Sequence, residues 1–162
     1  MKNLLILSLG FLGIFLSCKK SSPSANSGNY ITATVNGTNR TFNIGAEALV
    51  KSSSAGYSLA ITGREGVAYD ASQIVVNVFG SMPITSGTYS TGTTGTDQVS
   101  LEYALTNIAT YTTTAGNPSV TITSISSTNV QGTFSGVLTL TTGSAPASTA
   151  TITNGKFNVT VN

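Results

Sequence analysis

Apolar and hydroxyl-bearing side chains alternate along most of this chain from Tyr30 onward, and a period of two restricts such a chain to β-structure. In Tyr30–Val35 the residues Ile31, Ala33 and Val35 share one face. Tyr57, Leu59 and Ile61 alternate with Ser58, Ala60 and Thr62, and Val99, Leu101, Tyr103 and Leu105 with Ser100, Glu102, Ala104 and Thr106. Val120 and Ile122 alternate with Thr121 and Thr123. The longest single-face series is Val130, Gly132, Phe134, Gly136, Leu138 and Leu140, whose glycines predict a bend or bulge in a long strand. Gln73–Phe79 is nearly all apolar and predicts a central strand covered on both faces. Phe157, Val159 and Val161 form a last inward-facing series.

Turn residues punctuate these runs. Asn36-Gly37 predicts a tight hairpin between Val35 and Thr38, after which Phe42 and Ile44 should face inward together. Asn154-Gly155 predicts a second hairpin joining Ala150–Thr153 to Lys156–Val161. Ser86-Gly87, Gly92, Gly95, Asn117-Pro118 and Gly143 fall between other runs. Only Gly45–Lys51 shows helical spacing, through Ala46, Leu49 and Val50, and it is too short to form a helix unaided. The expected fold is all-β: an antiparallel two-layer β-sandwich or flattened barrel of roughly nine or ten strands, with mainly meander connections.

The first residues read differently. Met1-Lys2-Asn3 is followed by an apolar run from Leu4 to Leu16 and then Ser17-Cys18. A basic start, a short apolar stretch and a small residue before a cut describe a secretory signal peptide. The run is shorter than the roughly 20 residues of a membrane span. Cys18 is the one cysteine of the chain, so it has no internal disulfide partner. Ser17-Cys18 at the end of such a leader resembles the lipobox of bacterial lipoproteins, although Phe15 stands where that motif usually has Leu. The resemblance implies cleavage before Cys18 and a diacylglycerol on its sulfur. Two acyl chains suffice for stable anchoring. Residues 19–29, rich in Ser, Asn, Gly and Pro, predict a flexible tether. The organisation expected is a leader at 1–17, a lipidated cysteine and tether at 18–29, and one all-β domain at 30–162. The residue after the cysteine is Lys19 rather than the Asp of retained lipoproteins, so the resemblance implies the outer membrane of the cell envelope, with the periplasmic or surface face left open.

Composition narrows the function. Charged residues make up 7 % of the chain, against about 25 % in typical domains. Arg40, Lys51, Arg64 and Lys156 are scattered, whereas a nucleic-acid partner requires a clustered basic face. Histidine, the commonest general base and metal ligand, is absent from the sequence. With Cys18 acylated, no thiol remains for nucleophilic chemistry or zinc. No cofactor or metal is expected. The carboxylates are Glu47, Glu65, Asp70, Asp97 and Glu102. Glu65 and Asp70 lie in the charged segment Arg64–Asp70 and form the one candidate acid–base pair, provided a cleft holds them about 5–9 Å apart. The alternative is an exposed loop in which Arg64 screens Glu65. Aromatic stacking on a ligand would fall to tyrosine. Tyr69 and Tyr111 sit beside loops, whereas Tyr103 lies on the apolar face of its strand and belongs to the core.

Ala33-Thr-Val-Asn-Gly-Thr38, Val130-Gln-Gly-Thr-Phe-Ser-Gly-Val-Leu138 and Thr151-Ile-Thr-Asn-Gly-Lys-Phe-Asn-Val159 together resemble a family of small lipoproteins from Bacteroidetes, some described as lipocalin-like. The resemblance implies an envelope address and an all-β fold, and it transfers no catalytic residue. The expected function is a non-catalytic binding module for a glycan, lipid or peptide, with Tyr69, Tyr111, Arg64, Glu65 and Asp70 as candidate ligand contacts. An assembly accessory acting through protein contacts and a hydrolase using Glu65 and Asp70 are the alternatives. The membrane is the partner of the lipid anchor.

Overall fold

The structure is a computed structural model that describes residues 28–68, 70–91, 98–106, 108–113 and 117–162. The expected leader, Cys18, Lys19, Lys20, Tyr69 and Asp97 therefore lie outside the described residues. Eleven strands account for all the regular structure described: β1 (Tyr30–Val35), β2 (Thr38–Thr41), β3 (Ile44–Ser53), β4 (Gly56–Arg64), β5 (Gln73–Gly80), β6 (Gly87–Ser90), β7 (Gln98–Leu105), β8 (Ala109–Thr112), β9 (Ser119–Ile125), β10 (Asn129–Gly143) and β11 (Thr149–Val161).

They form one mostly antiparallel sheet in the order β2-β1-β11-β3-β4-β5-β7-β8-β10-β9-β6. β10 also pairs with β11, so the ladder runs from β11 through β3, β4, β5, β7, β8 and β10 and returns to β11 as a ring. The first and last strands pair, with Tyr30 opposite Asn158 and Val35 opposite Ile152. Hairpins join β1–β2, β3–β4–β5, β7–β8 and β9–β10–β11, which is the meander expected from the turn spacing. Five pairings depart from it. β5 pairs with β7, β8 with β10 and β1 with β11. β6 leaves its sequence neighbours to pair with β9, and β11 meets β3 in a short parallel contact at Thr160–Glu47 and Val161–Ala48.

The alternation read from the sequence is the alternation that packs. Ile31, Ala33 and Val35, Leu59 and Ile61, Val99, Leu101 and Tyr103, and Val130, Phe134 and Leu138 all point into one buried cluster. Phe134 stacks on Phe157, and Phe42 meets the edge of Tyr103. Each fully buried aliphatic or aromatic side chain contributes about 1.5–3 kcal/mol relative to exposure, so this shared interior is the main source of stability.

Gly45–Lys51, too short to form a helix unaided, lies within β3, where Ala46 and Ala48 alternate inward. Three local expectations are corrected. Gln73–Phe79 is covered on one face only, with Ile74, Val76 and Val78 buried and Phe79 exposed. Phe42 is buried, but Ile44 faces solvent because a new strand begins there. Asn154-Gly155 is not a hairpin. β11 runs straight through it, and the pair forms a bulge opposite Thr32–Thr34 on one side and Phe134–Gly136 on the other. Asn154 takes a left-handed conformation (φ 52), and the inserted residue shifts the inward series from Ala150 and Ile152 to Gly155, Phe157 and Val159. A Cβ on Gly155 would stand 2.3 Å from the Phe134 carbonyl oxygen, so only glycine fits this approach.

Candidate functional site

Arg40 and Glu65 come together with Tyr103 where β2, the segment after β4 and the β7–β8 hairpin meet. Arg40 sits on the short strand β2 opposite Ala33, and that register turns it toward the core side. Its guanidinium donates to both carboxylate oxygens of Glu65, at 3.1 and 2.9 Å, and lies 5.9 Å from the centre of the Tyr103 ring. Tyr103 in turn stacks on Tyr111, its cross-strand neighbour, with ring centres 6.1 Å apart. The Tyr111 hydroxyl donates to the Ala147 carbonyl at 3.1 Å.

This cluster is incompletely satisfied. The Tyr103 hydroxyl and the Arg40 Nε are buried without a hydrogen-bond partner among the described residues. Burial pushes the Tyr103 phenol above its ordinary value, against the opposing influence of the Ser72 side chain and the Arg40 guanidinium. Ser72 is close enough to favour the phenolate, yet it is not placed for a hydrogen bond of ordinary geometry.

The residues singled out in the sequence are thus dispersed in role. Glu65 is held by Arg40 rather than screened by its neighbour Arg64, and Arg64 ends β4 opposite Ile44 and Gln73. Asp70 is exposed. Tyr111 is buried and bonded to backbone, and Tyr69 lies outside the described residues. Arg40 escaped the sequence reading because nothing local marks it: its partner is 25 residues away. No group of three or more His, Cys, Asp or Glu that could hold a metal occurs among the described residues.

Concavity lies elsewhere. An open groove of about 940 Å³ follows the far end of the β3–β4 hairpin and the last residues of β5. Val50, Tyr57 and Phe79 supply its apolar part, and Lys51, Ser58 and Gln98 its polar part. A second open groove of about 390 Å³ runs beside the β10–β11 bulge, lined by Ser119, Thr121, Thr133 and Ser135 with Asn154 and Lys156.

Compared with family models, curated proteins and solved structures, the chain gives no match.

Proposed function

We propose that the chain is a cell-envelope lipoprotein, anchored through Cys18, whose all-β domain is a non-catalytic binding module for a glycan, lipid or peptide. One observation carries the reading. Around the β3–β4 groove, apolar and aromatic side chains on a densely bonded scaffold remain open to solvent beside serines, an amide and a lysine. That mixture suits a contact surface. The interior is occupied by the domain's own side chains, so the ligand is met from outside.

The chemistry available points the same way. The chain has no histidine, and the Glu65 carboxylate is committed to Arg40. The direct test measures binding of the wild-type domain to envelope glycans, lipid vesicles and envelope peptides, alongside Phe79→Ser. Binding by the wild type that Phe79→Ser weakens supports the proposal. Equal binding by both proteins, or none to any of the three, contradicts it.

A second reading, an assembly accessory acting through protein contacts, rests on β3. Its ladder to β11 ends at Ala48, so Leu49–Ser53 presents one strand edge with no described partner strand. Such an edge can accept an extended peptide as an added strand. Crosslinking from an introduced thiol on this edge to a single envelope protein would favour it.

A further inference from the structure

The two ends of the domain differ, and the chain enters at one of them. Asn29, the residue before β1, bonds to the Ala46 carbonyl at 2.9 Å and to the Thr160 hydroxyl at 2.7 Å, and accepts from the Thr160 N–H at 3.0 Å. This fixes the start of the domain beside the junction of β11 and β3. From the last β11 pair, at Ala48, β3 continues to Ser53 before turning into β4. At about 3.3 Å per residue this hairpin projects roughly 17 Å past the end of β11. The end of β5 accompanies it, with Gly80 opposite Tyr57.

The projecting end is apolar where a soluble surface is normally polar. Leu49 and Val50 are each 40 % exposed, on opposite faces of the strand, and Phe79 and Met82 are 42 % and 71 % exposed. From Leu49 to Gly56 and from Phe79 to Met82 the one charged residue is Lys51. The opposite end also exposes Val67 and Ile108, but there Arg64, Glu65 and Asp70 accompany them. Taking those charges out of water is costly.

We infer that the β3–β4 hairpin and the end of β5 rest on the lipid surface that holds the anchor, with Leu49, Val50, Phe79 and Met82 among the headgroups and the Arg64–Glu65 end facing away from the membrane. The inference rests on the lipoprotein reading and names the lipid bilayer as the partner of the groove. Connectivity supports it. Residues 19–29 between Cys18 and β1 span at most about 40 Å when fully extended, so the anchor lies within reach of the end at which the chain enters. Charge supports it too, because Lys19 and Lys20 beside the anchor and Lys51 on the hairpin carry the sign that anionic headgroups attract. Together with the acyl chains, a second apolar contact sets the domain's orientation as well as its attachment.

The test uses the full lipidated protein, in which an introduced cysteine is the single open thiol once Cys18 is acylated. Ser52→Cys and Val67→Cys are each labelled with an environment-sensitive dye. The proteins are reconstituted in vesicles of phosphatidylethanolamine and phosphatidylglycerol, with brominated lipid as a membrane quencher and iodide as an aqueous one. The expected result is quenching by brominated lipid at residue 52 and not at residue 67, with iodide giving the reverse. Leu49→Ser, Phe79→Ser and Met82→Ser combined should abolish the lipid quenching at residue 52 while the protein stays with the vesicles. If both labels are open to iodide, or residue 67 is the one shielded, in protein that floats with vesicles, the inference is wrong and the anchor stands. If the protein neither floats nor takes up labelled palmitate, the anchor reading fails and the inference falls with it.

Discussion

Replacing Gly132 with alanine puts a close approach of three strands to a quantitative test. Gly132 lies on β10 opposite Ile122 of β9 and Phe157 of β11, at a register shift. A Cβ there would stand 2.2 Å from the Thr121 carbonyl oxygen and 2.5 Å from Cζ of Phe157. The Phe157 ring can tilt, but the Thr121 oxygen belongs to the β9 backbone and moves only with its strand. Overpacking of this kind costs about 1–3 kcal/mol, and a disturbed ladder hydrogen bond adds about 1 kcal/mol, giving a loss of about 2–4 kcal/mol. In a domain of this size each kcal/mol moves the melting temperature by roughly 3–6 °C, so Gly132→Ala should melt about 10 °C lower. Gly66→Ala is the matched control: its Cβ would meet only Ala71 Cβ at 3.6 Å, and a gain of about 0.4–1 kcal/mol is expected from the stiffer unfolded chain. Melting followed by circular dichroism compares the two. If Gly132→Ala melts with the wild type, β9, β10 and β11 do not approach at Gly132 as described, and the register of β10 there is wrong.

Other consequences are simpler to state. Tyr103→Phe removes a buried hydroxyl that lacks a partner, so stability at neutral pH should be unchanged or higher by about 1 kcal/mol. The same substitution should change alkaline unfolding. A phenol raised above its unfolded value of 10.0 contributes stability that is complete below that pH and is lost as pH rises above it through the folded value. The wild type should therefore lose more stability than Tyr103→Phe above pH 10.0 in urea titrations, and parallel curves would contradict the assignment. Glu65→Gln breaks an ion pair whose side chains are 29 % and 26 % exposed. Its cost should stay near or below about 1 kcal/mol and shrink in high salt, and a larger, salt-independent loss in the same titrations would mean that the pair is buried more deeply than described.

How much of this was legible in the sequence depends on the range of the interaction that decides each element. β1, β4, β7 and β10 were evident because each carries its own alternation, and the core-facing residues of all four are the ones expected. β3 was not, because Ala46 and Ala48 are weak hydrophobic markers while Leu49 and Val50 lie side by side in a stretch that projects beyond the core. β6 and β8 are four residues each, too short for a period to declare itself. The Asn154-Gly155 dipeptide reads identically as a hairpin turn and as a bulge. What decides is the pairing of β11 with β1 on one edge and β10 on the other, which no local window contains. The Arg40–Glu65 pair and the short β11–β3 contact that completes the ring are likewise products of long-range register.

The proposed lipid anchor underlies both the proposed address and the proposed orientation, so the most direct measurement is the intact mass of the protein extracted from the membranes of a bacterial host. The expected result is a chain beginning at Cys18, with the mass of residues 18–162 plus a diacylglyceryl group, and a Cys18→Ala variant that leaves the membrane fraction. An unmodified chain that retains residues 1–17, or one cut elsewhere and carrying no lipid, would contradict it.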